Sequence, residues 1–337
     1  MKRRPGVATI AEVAEQAGVS QATVSRVMNG RFLGAEDIAV RVRAVAAELA
    51  YSPNHLARSL ALGQTKAIAF VVPDLANPTF QAMLSGLSKA AARSGYRVLV
   101  ADSAESPDDE PLLVGEIRRR CDAVVLCAPR MSDELLEGLA DSLRPLVVIN
   151  RRNERVDAPS LSIDYRAGVQ DLAQHLYDLG HRRLVFLEGP VGSVSNGHRL
   201  AGLADFERRH ADVRIERMPV GATIEDGLAA AAEVRDSGAT GALAFNDLVA
   251  IGLLNGLLAL GVRVPEEVSV TGFDDIPFAR YTTPSLTTSS VPHDELGAAA
   301  WRRMSALIEG AEPEADLLFR PRLEARASTG TRSRSIA

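Results

Sequence analysis

Residues 9–29 read TIAEVAEQAGVSQATVSRVMN. Thr9 and Glu12 stand three residues apart ahead of an apolar run, the spacing of a capping box. Ile10, Val13, Ala14 and Ala17 then recur at helical spacing. Gly18 follows them, where a left-handed position after a helix favours glycine. Ser20 is placed to cap a second helix, with Val24, Val27 and Met28 as its apolar stripe. Ala22, Ser25 and Arg26 fall away from that stripe, and Gln21 projects from the first turn. Two short helices joined by a tight glycine-containing turn form a helix-turn-helix, whose second helix reads bases in a DNA major groove. An ordinary helical hairpin would share the pattern, so the rest of the chain has to decide.

Charge supports the first reading. The 337 residues carry a net charge of −5, but residues 1–65 hold eight Lys/Arg against five acids, a local +3. The remainder therefore carries −8, as expected for a small basic module joined to a larger acidic one. The start, MKRRPGVATIAEVAEQ, has neither the apolar core nor the cleavage site of a secretory signal. No run of 18 apolar residues exists, so no membrane span is expected and a cytoplasmic location is. Cys121 and Cys127 flank a likely strand, CDAVVLC, about 20 Å apart if extended, and read as buried reduced thiols.

From Lys66 onward, apolar runs alternate with amphipathic stretches. Ala67–Val72, Tyr96–Ala101, Ala123–Cys127 and Leu146–Ile149 read as strands buried on both faces, separated by helices at 78–94, 108–120 and 132–142. The pattern restarts with strands at 183–187, 213–218, 241–245 and 268–273, and helices near 196–209, 224–236 and 247–260. A helix at 294–309 and short strands at 317–319 and 323–325 follow. The fold class is α/β: an all-α head, then two doubly wound parallel-sheet lobes with a ligand cleft at the strands' carboxyl ends. Between head and lobes, Asn54–Ala61 allows only two helical turns, too few to be stable unaided.

TIAEVAEQAGVSQATVSRVMNG, LAYSPNHLARSL, VVPDLANPTF, HRLAG, FND, TGFDD and EARAST lie across almost the full length. In this combination the chain resembles the lactose-repressor and purine-repressor family of bacterial transcription regulators, whose lobes resemble periplasmic sugar-binding proteins. The resemblance divides the chain into a head (1–52), a hinge (53–65), a first lobe (66–163 with 292–320), a second lobe (164–291 with 321–330) and a tail (331–337). It places Gln21, Ala22 and Arg26 at base-reading positions, where Arg26 suits guanine, Gln21 adenine and Ala22 a thymine methyl. Ser20, Thr23, Ser25 and Asn29 are expected to position the backbone phosphates, and Thr9 is counted among the DNA-binding residues. In the hinge, Leu60 matches the leucine that wedges into the minor groove, with Asn54 and Ala57 beside it. Phe80, Arg151, Asp164, Ser195, Arg199, Asn246 and Asp274 match positions lining the effector cleft. An arginine and an aspartate facing one cleft suit a polyhydroxylated ligand.

Some stretches depart from the family pattern. AEDIAVRV (35–42) lacks the usual third-helix opening, and with it a cap. Thr79, Val291 and GATIEDG (221–227) replace common cleft residues. The implied partners are operator DNA, a sugar or other polar effector, and a second copy of the chain, with no membrane, cofactor or metal. No heptad repeat follows the lobes, which favours a dimer over a tetramer. Two other classes share parts of this pattern. A solute-binding receptor would use the same two lobes but requires export. An enzyme could use the loop GPVGSVSNG (189–197) for phosphate, yet that loop lacks both glycine-rich phosphate spacings and no catalytic cluster accompanies it.

Overall fold

The computed structural model describes residues 8–51 and 64–332. Both halves of the first capping box close: Thr9 Oγ1 accepts the Glu12 amide at 3.4 Å and the Glu12 carboxylate accepts the Thr9 amide at 2.7 Å. Helix α1 (Ile10–Ala17) ends at Gly18, whose φ of +66° lets its amide reach back to the last carbonyls. Ser20 caps α2 (Gln21–Met28), its hydroxyl accepting the Thr23 amide at 3.2 Å. Helix α3 (Glu36–Glu48) starts at Ala35 with no side-chain cap, as the altered opening predicted. Glu36 and Asp37 in its first turn oppose the helix dipole instead. Val13, Ala17, Val24, Val27, Val42 and Val45 pack into the core of this head. Arg41 Nε donates to the Ala17 carbonyl at 2.9 Å, fastening α3 to an orphan carbonyl of α1.

The chain divides between Thr65 and Lys66 into two units with separate cores. In the second unit, β1 (Ala67–Val72), α4 (Pro78–Arg93), β2 (Arg97–Asp102), α5 (Glu110–Arg118), β3 (Ala123–Cys127), α6 (Asp133–Leu143), β4 (Leu146–Ile149) and β5 (Ser160–Ile163) come first. There follow α7 (Tyr165–Asp178), β6 (Arg183–Glu188), α8 (Val194–Arg209), β7 (Arg214–Pro219), α9 (Ile224–Ala229), α10 (Ala231–Asp236), β8 (Gly241–Ala244) and α11 (Asp247–Ala259). Then come β9 (Ser269–Thr271), β10 (Thr288–Ser290), α12 (His293–Ile308), β11 (Leu317–Phe319) and β12 (Arg322–Glu324).

One sheet runs β11-β5-β4-β3-β1-β2 and another β7-β6-β8-β9, with all neighbours parallel; β10 and β12 form a short antiparallel pair. The central strands β3 and β4 are buried throughout, because helices cover both faces. Strand β2 corrects the expectation of double burial. It is an edge strand whose residues alternate between exposed and half-buried up to the buried Ala101, since among the described residues no further strand pairs with its outer side. The helix expected over 224–236 divides at Ala230, where ψ opens to −12°. Cys121 and Cys127 are buried and unpaired, and burial pushes the Cys121 thiol up to about 11, so neither is a reactive thiolate at neutral pH.

The chain leaves the first sheet after β5, where Asp164 caps α7 with a 2.9 Å bond to the Ala167 amide. It returns with α12, which packs on α4 through two glycines: a Cβ on Gly86 would lie 1.9 Å from the Asp294 carbonyl oxygen, and one on Gly297 2.0 Å from that of Met83. These passages between sheets deliver the ends of α4, α7, α8, α11 and α12 to a common region.

Candidate functional site

On the head, Gln21, Ala22 and Arg26 are exposed on α2 while Val24 and Val27 are buried beneath them. Arg26 Nε donates to the Ala22 carbonyl at 3.3 Å. Thr9 and Ser20 are exposed caps, and Ser20 Oγ lies 3.0 Å from Thr23 Oγ1. Ser25 is half-buried, and Asn29 Nδ2 donates to its carbonyl at 2.7 Å. Asn54, Ala57 and Leu60 lie outside the described residues. Gln21, Ala22 and Arg26 therefore stand exposed on one helix, with the Ser20 and Thr23 hydroxyls at its start.

In the larger unit Arg199, on α8, is the expected cleft residue that stands among aromatic rings. It is 2% exposed, and its guanidinium carbon lies 4.1 Å from the Phe273 ring centre, 4.3 Å from Tyr165 and 4.6 Å from Phe245. A planar, weakly hydrated cation surrounded by aromatic faces is held by cation–π attraction where an ammonium would not fit. Nη1 donates to the Ser195 carbonyl at 3.2 Å, and Nε has no partner. Desolvation pulls the guanidinium pKa down, while Tyr165 and Asp274 act to support the charge.

Asp274 follows β9 with φ of +110°, and Asp275 with φ of +56°. Such backbone costs about 1–3 kcal/mol per residue and persists only where neighbours fix it. Here the Asp274 amide donates to Ser289 at 2.8 Å, and Arg326 grips Asp275 at 2.5 Å. Burial pushes the Asp274 carboxyl up to about 7, against the pull of Arg199 and then of the Thr79 hydroxyl. The neighbouring Asp247 is also buried; burial, and then Asp274, hold its pKa well above the usual carboxylate range. It accepts from Thr288 Oγ1 at 2.6 Å and from the Ile276 amide at 2.8 Å, so it braces the Asp274 loop.

The remaining expected cleft residues are placed as follows. Phe80 is 7% exposed at the start of α4, in the core cluster that also holds Tyr165 and Phe273. Ser195 Oγ lies 2.9 Å from Ser193 Oγ. Asn246 caps α11, its Oδ1 accepting the Val249 amide and its Nδ2 donating to Ala222, both at 2.9 Å. Arg151 donates to Asp133 at 2.8 Å and to the carbonyls of Pro129 and Met131, which sets it apart from Arg199 and Asp274. Asp164 is half-buried as the α7 cap.

Residue-by-residue reading missed the rings of Tyr165, Phe245 and Phe273 as a cage, although FND and TGFDD contain two of them. It also missed His293, which is 6% exposed and has Nε2 3.7 Å from Asp274 Oδ1. Its only signal was an imidazole placed at the start of an apolar helix. Among the described residues, no group of three or more His, Cys, Asp or Glu could hold a metal ion, and no helix is long and apolar enough to cross a membrane.

Comparison with known proteins covers both units. Residues 9–54 match the family model "Bacterial regulatory proteins, lacI family", and residues 173–329 match "Periplasmic binding protein-like domain". Catabolite control protein A of Streptococcus mutans is 32% identical over 314 residues, covering 91% of this chain and 93% of that protein. The HTH-type transcriptional regulator GalR of Escherichia coli is 31% identical over 343 residues, covering 97% of each. Among solved structures, the lac repressor dimer bound to operator and the anti-inducer ONPF aligns with a TM-score of 0.85 at 26% identity, covering 96% of this chain and 99% of that one. A regulator from Enterococcus faecium with bound ribose aligns with a TM-score of 0.70 at 27% identity, over 79% of this chain and 99% of that one. Matched at both ends and along nearly its whole length, this chain belongs to the lacI family of bacterial regulatory proteins.

Proposed function

We propose that the chain is a transcriptional repressor that binds a pseudo-palindromic operator as a homodimer and is controlled by a small polyhydroxylated effector. The observation that carries the effector class is the Arg199–Asp274 corner. A buried cation and a buried acid beside aromatic rings offer hydrogen bonds to hydroxyls and flat surface to the C–H faces of a sugar. Arg199, Asp274, Ser195 and Phe80 carry ligand recognition in this reading, with Asn246 and Asp164 shaping the walls around them and Arg151 standing apart from that corner. On the head, Arg26 reads guanine through paired bonds, Gln21 and Ala22 read neighbouring bases, and Thr9, Ser20, Thr23, Ser25 and Asn29 set the register on phosphates. Asn54, Ala57 and Leu60 complete the operator contacts from the hinge segment.

The domain limits follow the same assignment: head 1–52, hinge 53–65, lobes 66–163 with 292–320 and 164–291 with 321–330. The protein acts by binding rather than by catalysis, and it works in the cytoplasm, where its operator is. Effector binding shifts the population of lobe arrangements and so changes operator affinity; the coupling is reciprocal.

The test pairs two assays on the full chain. Fluorescence anisotropy against upstream regions of its own genome should find a site whose affinity exceeds nonspecific binding by at least about 10³-fold. A thermal-shift series with D-ribose, D-galactose, cellobiose and nucleosides should give a stabilising ligand whose effect disappears in Arg199→Ala and Asp274→Ala. Uniform binding to all DNA at low salt would defeat the regulator reading, and a response untouched by both substitutions would defeat the cleft assignment.

A further inference from the structure

His293 opens α12 at the point where the chain returns to the first lobe. It is 6% exposed, and neither ring nitrogen meets hydrogen-bond geometry, although the Asp274 backbone acts on the ring as a weak acceptor. Burial is the main influence on its pKa, which is lowered to about 4, so the ring is neutral at physiological pH. A neutral imidazole has one donor and one acceptor nitrogen, and leaving both unpaired in the interior is unfavourable. Buried polar groups in native structures are nearly always paired, so an unpaired one marks a place where a partner would fit. The placement of this one is specific: its Nε2 is 3.7 Å from Asp274 Oδ1, just beyond hydrogen-bond length. An aromatic or aliphatic residue would fill the same volume without that penalty.

We propose that His293 is a specificity-determining residue of the cleft, forming with Asp274 a corner that takes a hydroxyl group of the effector and binds it best with Asp274 as a carboxylate. The imidazole both gives and takes a hydrogen bond, a demand that a hydroxyl meets and an apolar group does not. This inference rests on the polyhydroxylated-effector reading and narrows it, because an analogue lacking the hydroxyl that enters this corner leaves His293 unpaired.

The charges around the corner fix the sign of its pH dependence. Among the described residues Arg199 from α8 is the cation acting on Asp274, and the Thr79 hydroxyl from α4 also favours the ionised acid. Tyr165 from α7 is held neutral by burial. Asp247 from α11 is held toward its neutral form. Asp275 is paired with Arg280 and Arg326, and Asp294 acts on His293 from its own helix. Without ligand, burial brings the Asp274 acid to about 7, so near neutrality it is partly protonated. A hydroxyl donating to its carboxylate stabilises the ionised form, and binding then releases a proton to solvent. Effector affinity therefore rises with pH through neutrality and levels off above it.

The experiment is calorimetric titration of the full-length protein at pH 6 and pH 8 with D-ribose, D-galactose and cellobiose. For a sugar that binds, wild-type Kd should weaken about tenfold from pH 8 to pH 6, as expected for one linked proton. His293→Phe should lose at least about tenfold in affinity at pH 8, His293→Gln should recover most of it, and Asp274→Asn should bind weakly and without pH dependence. The melting temperature of ligand-free His293→Phe should equal or exceed that of wild type, since two unpaired nitrogens are removed. Undiminished binding by His293→Phe, or equal wild-type affinity at both pH values, overturns the inference while leaving the effector reading standing. Should His293→Phe fail to fold, the wild-type pH profile and His293→Gln decide. If none of the three sugars binds wild type, the polyhydroxylated reading fails and the inference falls with it.

Discussion

At the residue scale, Asp274 and His293 are displaced in opposite directions by one cause, burial, and this leaves a signature in stability. Asp274 is raised to about 7 from an ordinary 3.8, so the folded state holds its proton more tightly than the unfolded chain. Its contribution is complete below pH 4 and is lost as pH rises to 7. His293 is lowered to about 4 from 6.5, so its contribution is complete above pH 6.5 and is lost as pH falls to 4. In wild type the two slopes oppose each other between pH 4 and pH 6.5. Relative to wild type, Asp274→Asn should show unfolding free energy rising more steeply with pH in that window, and His293→Phe should show it falling. Urea denaturation at half-unit pH steps measures both; slopes of the same sign in the two variants would contradict the assignment. Neither value was legible in the sequence. TGFDD and VPHDEL show the groups, but only the fold buries them beside one another.

At the element scale, legibility followed burial. β1, β3 and β4 lie where their apolar runs put them, because helices on both faces demand continuous Val, Ile and Leu, whereas β11 was found by its run although it is an edge strand with Leu318 exposed. The sequence analysis placed no strand over Ser160–Ile163 and no helix over Tyr165–Asp178. SLSI mixes serine into a four-residue strand, and Gly168 interrupts an otherwise periodic helix. That glycine is there for packing: a Cβ would meet the Phe273 ring at 2.8 Å. The α4–α12 crossing is likewise invisible to periodicity, since it depends on a backbone approach. Gly297→Ala should destabilise the protein by about 1–3 kcal/mol, the usual cost of overpacking, and should weaken effector binding because α12 carries His293. A melting temperature and effector affinity equal to those of wild type would show that α12 can shift without consequence. The uncapped start of α3 offers the converse. Ala35→Ser should raise stability of the head by about 1 kcal/mol by accepting a first-turn amide, seen as stronger hydrogen-exchange protection in residues 10–51. Unchanged protection would mean that Glu36 and Asp37 already satisfy that helix end.

At the scale of the whole molecule, sensing and DNA reading belong to units with separate cores. The head core draws only on residues between Ile10 and Tyr51, and the three larger clusters only on residues from Ala67 onward. The largest cluster joins Phe70 of the first sheet to Phe186 of the second, so the cleft region is supported by a core common to both lobes. Charge divides along the same line, +3 in residues 1–65 and −8 beyond, which makes the head the electrostatic partner of DNA. A chain of residues 66–337 alone should therefore fold and keep the effector response of the full protein. At a ligand concentration one hundred times Kd the stabilisation is about 2.7 kcal/mol, which for a domain of this size raises the melting temperature by roughly 5–10 °C. The same fragment should show no operator binding even at low salt, because it lacks Arg26 and carries the acidic excess. Thermal shift and anisotropy on the fragment measure the two halves of this expectation. A fragment that folds but no longer responds to the effector would mean that the head takes part in forming the cleft, and the separation of the two functions would have to be abandoned.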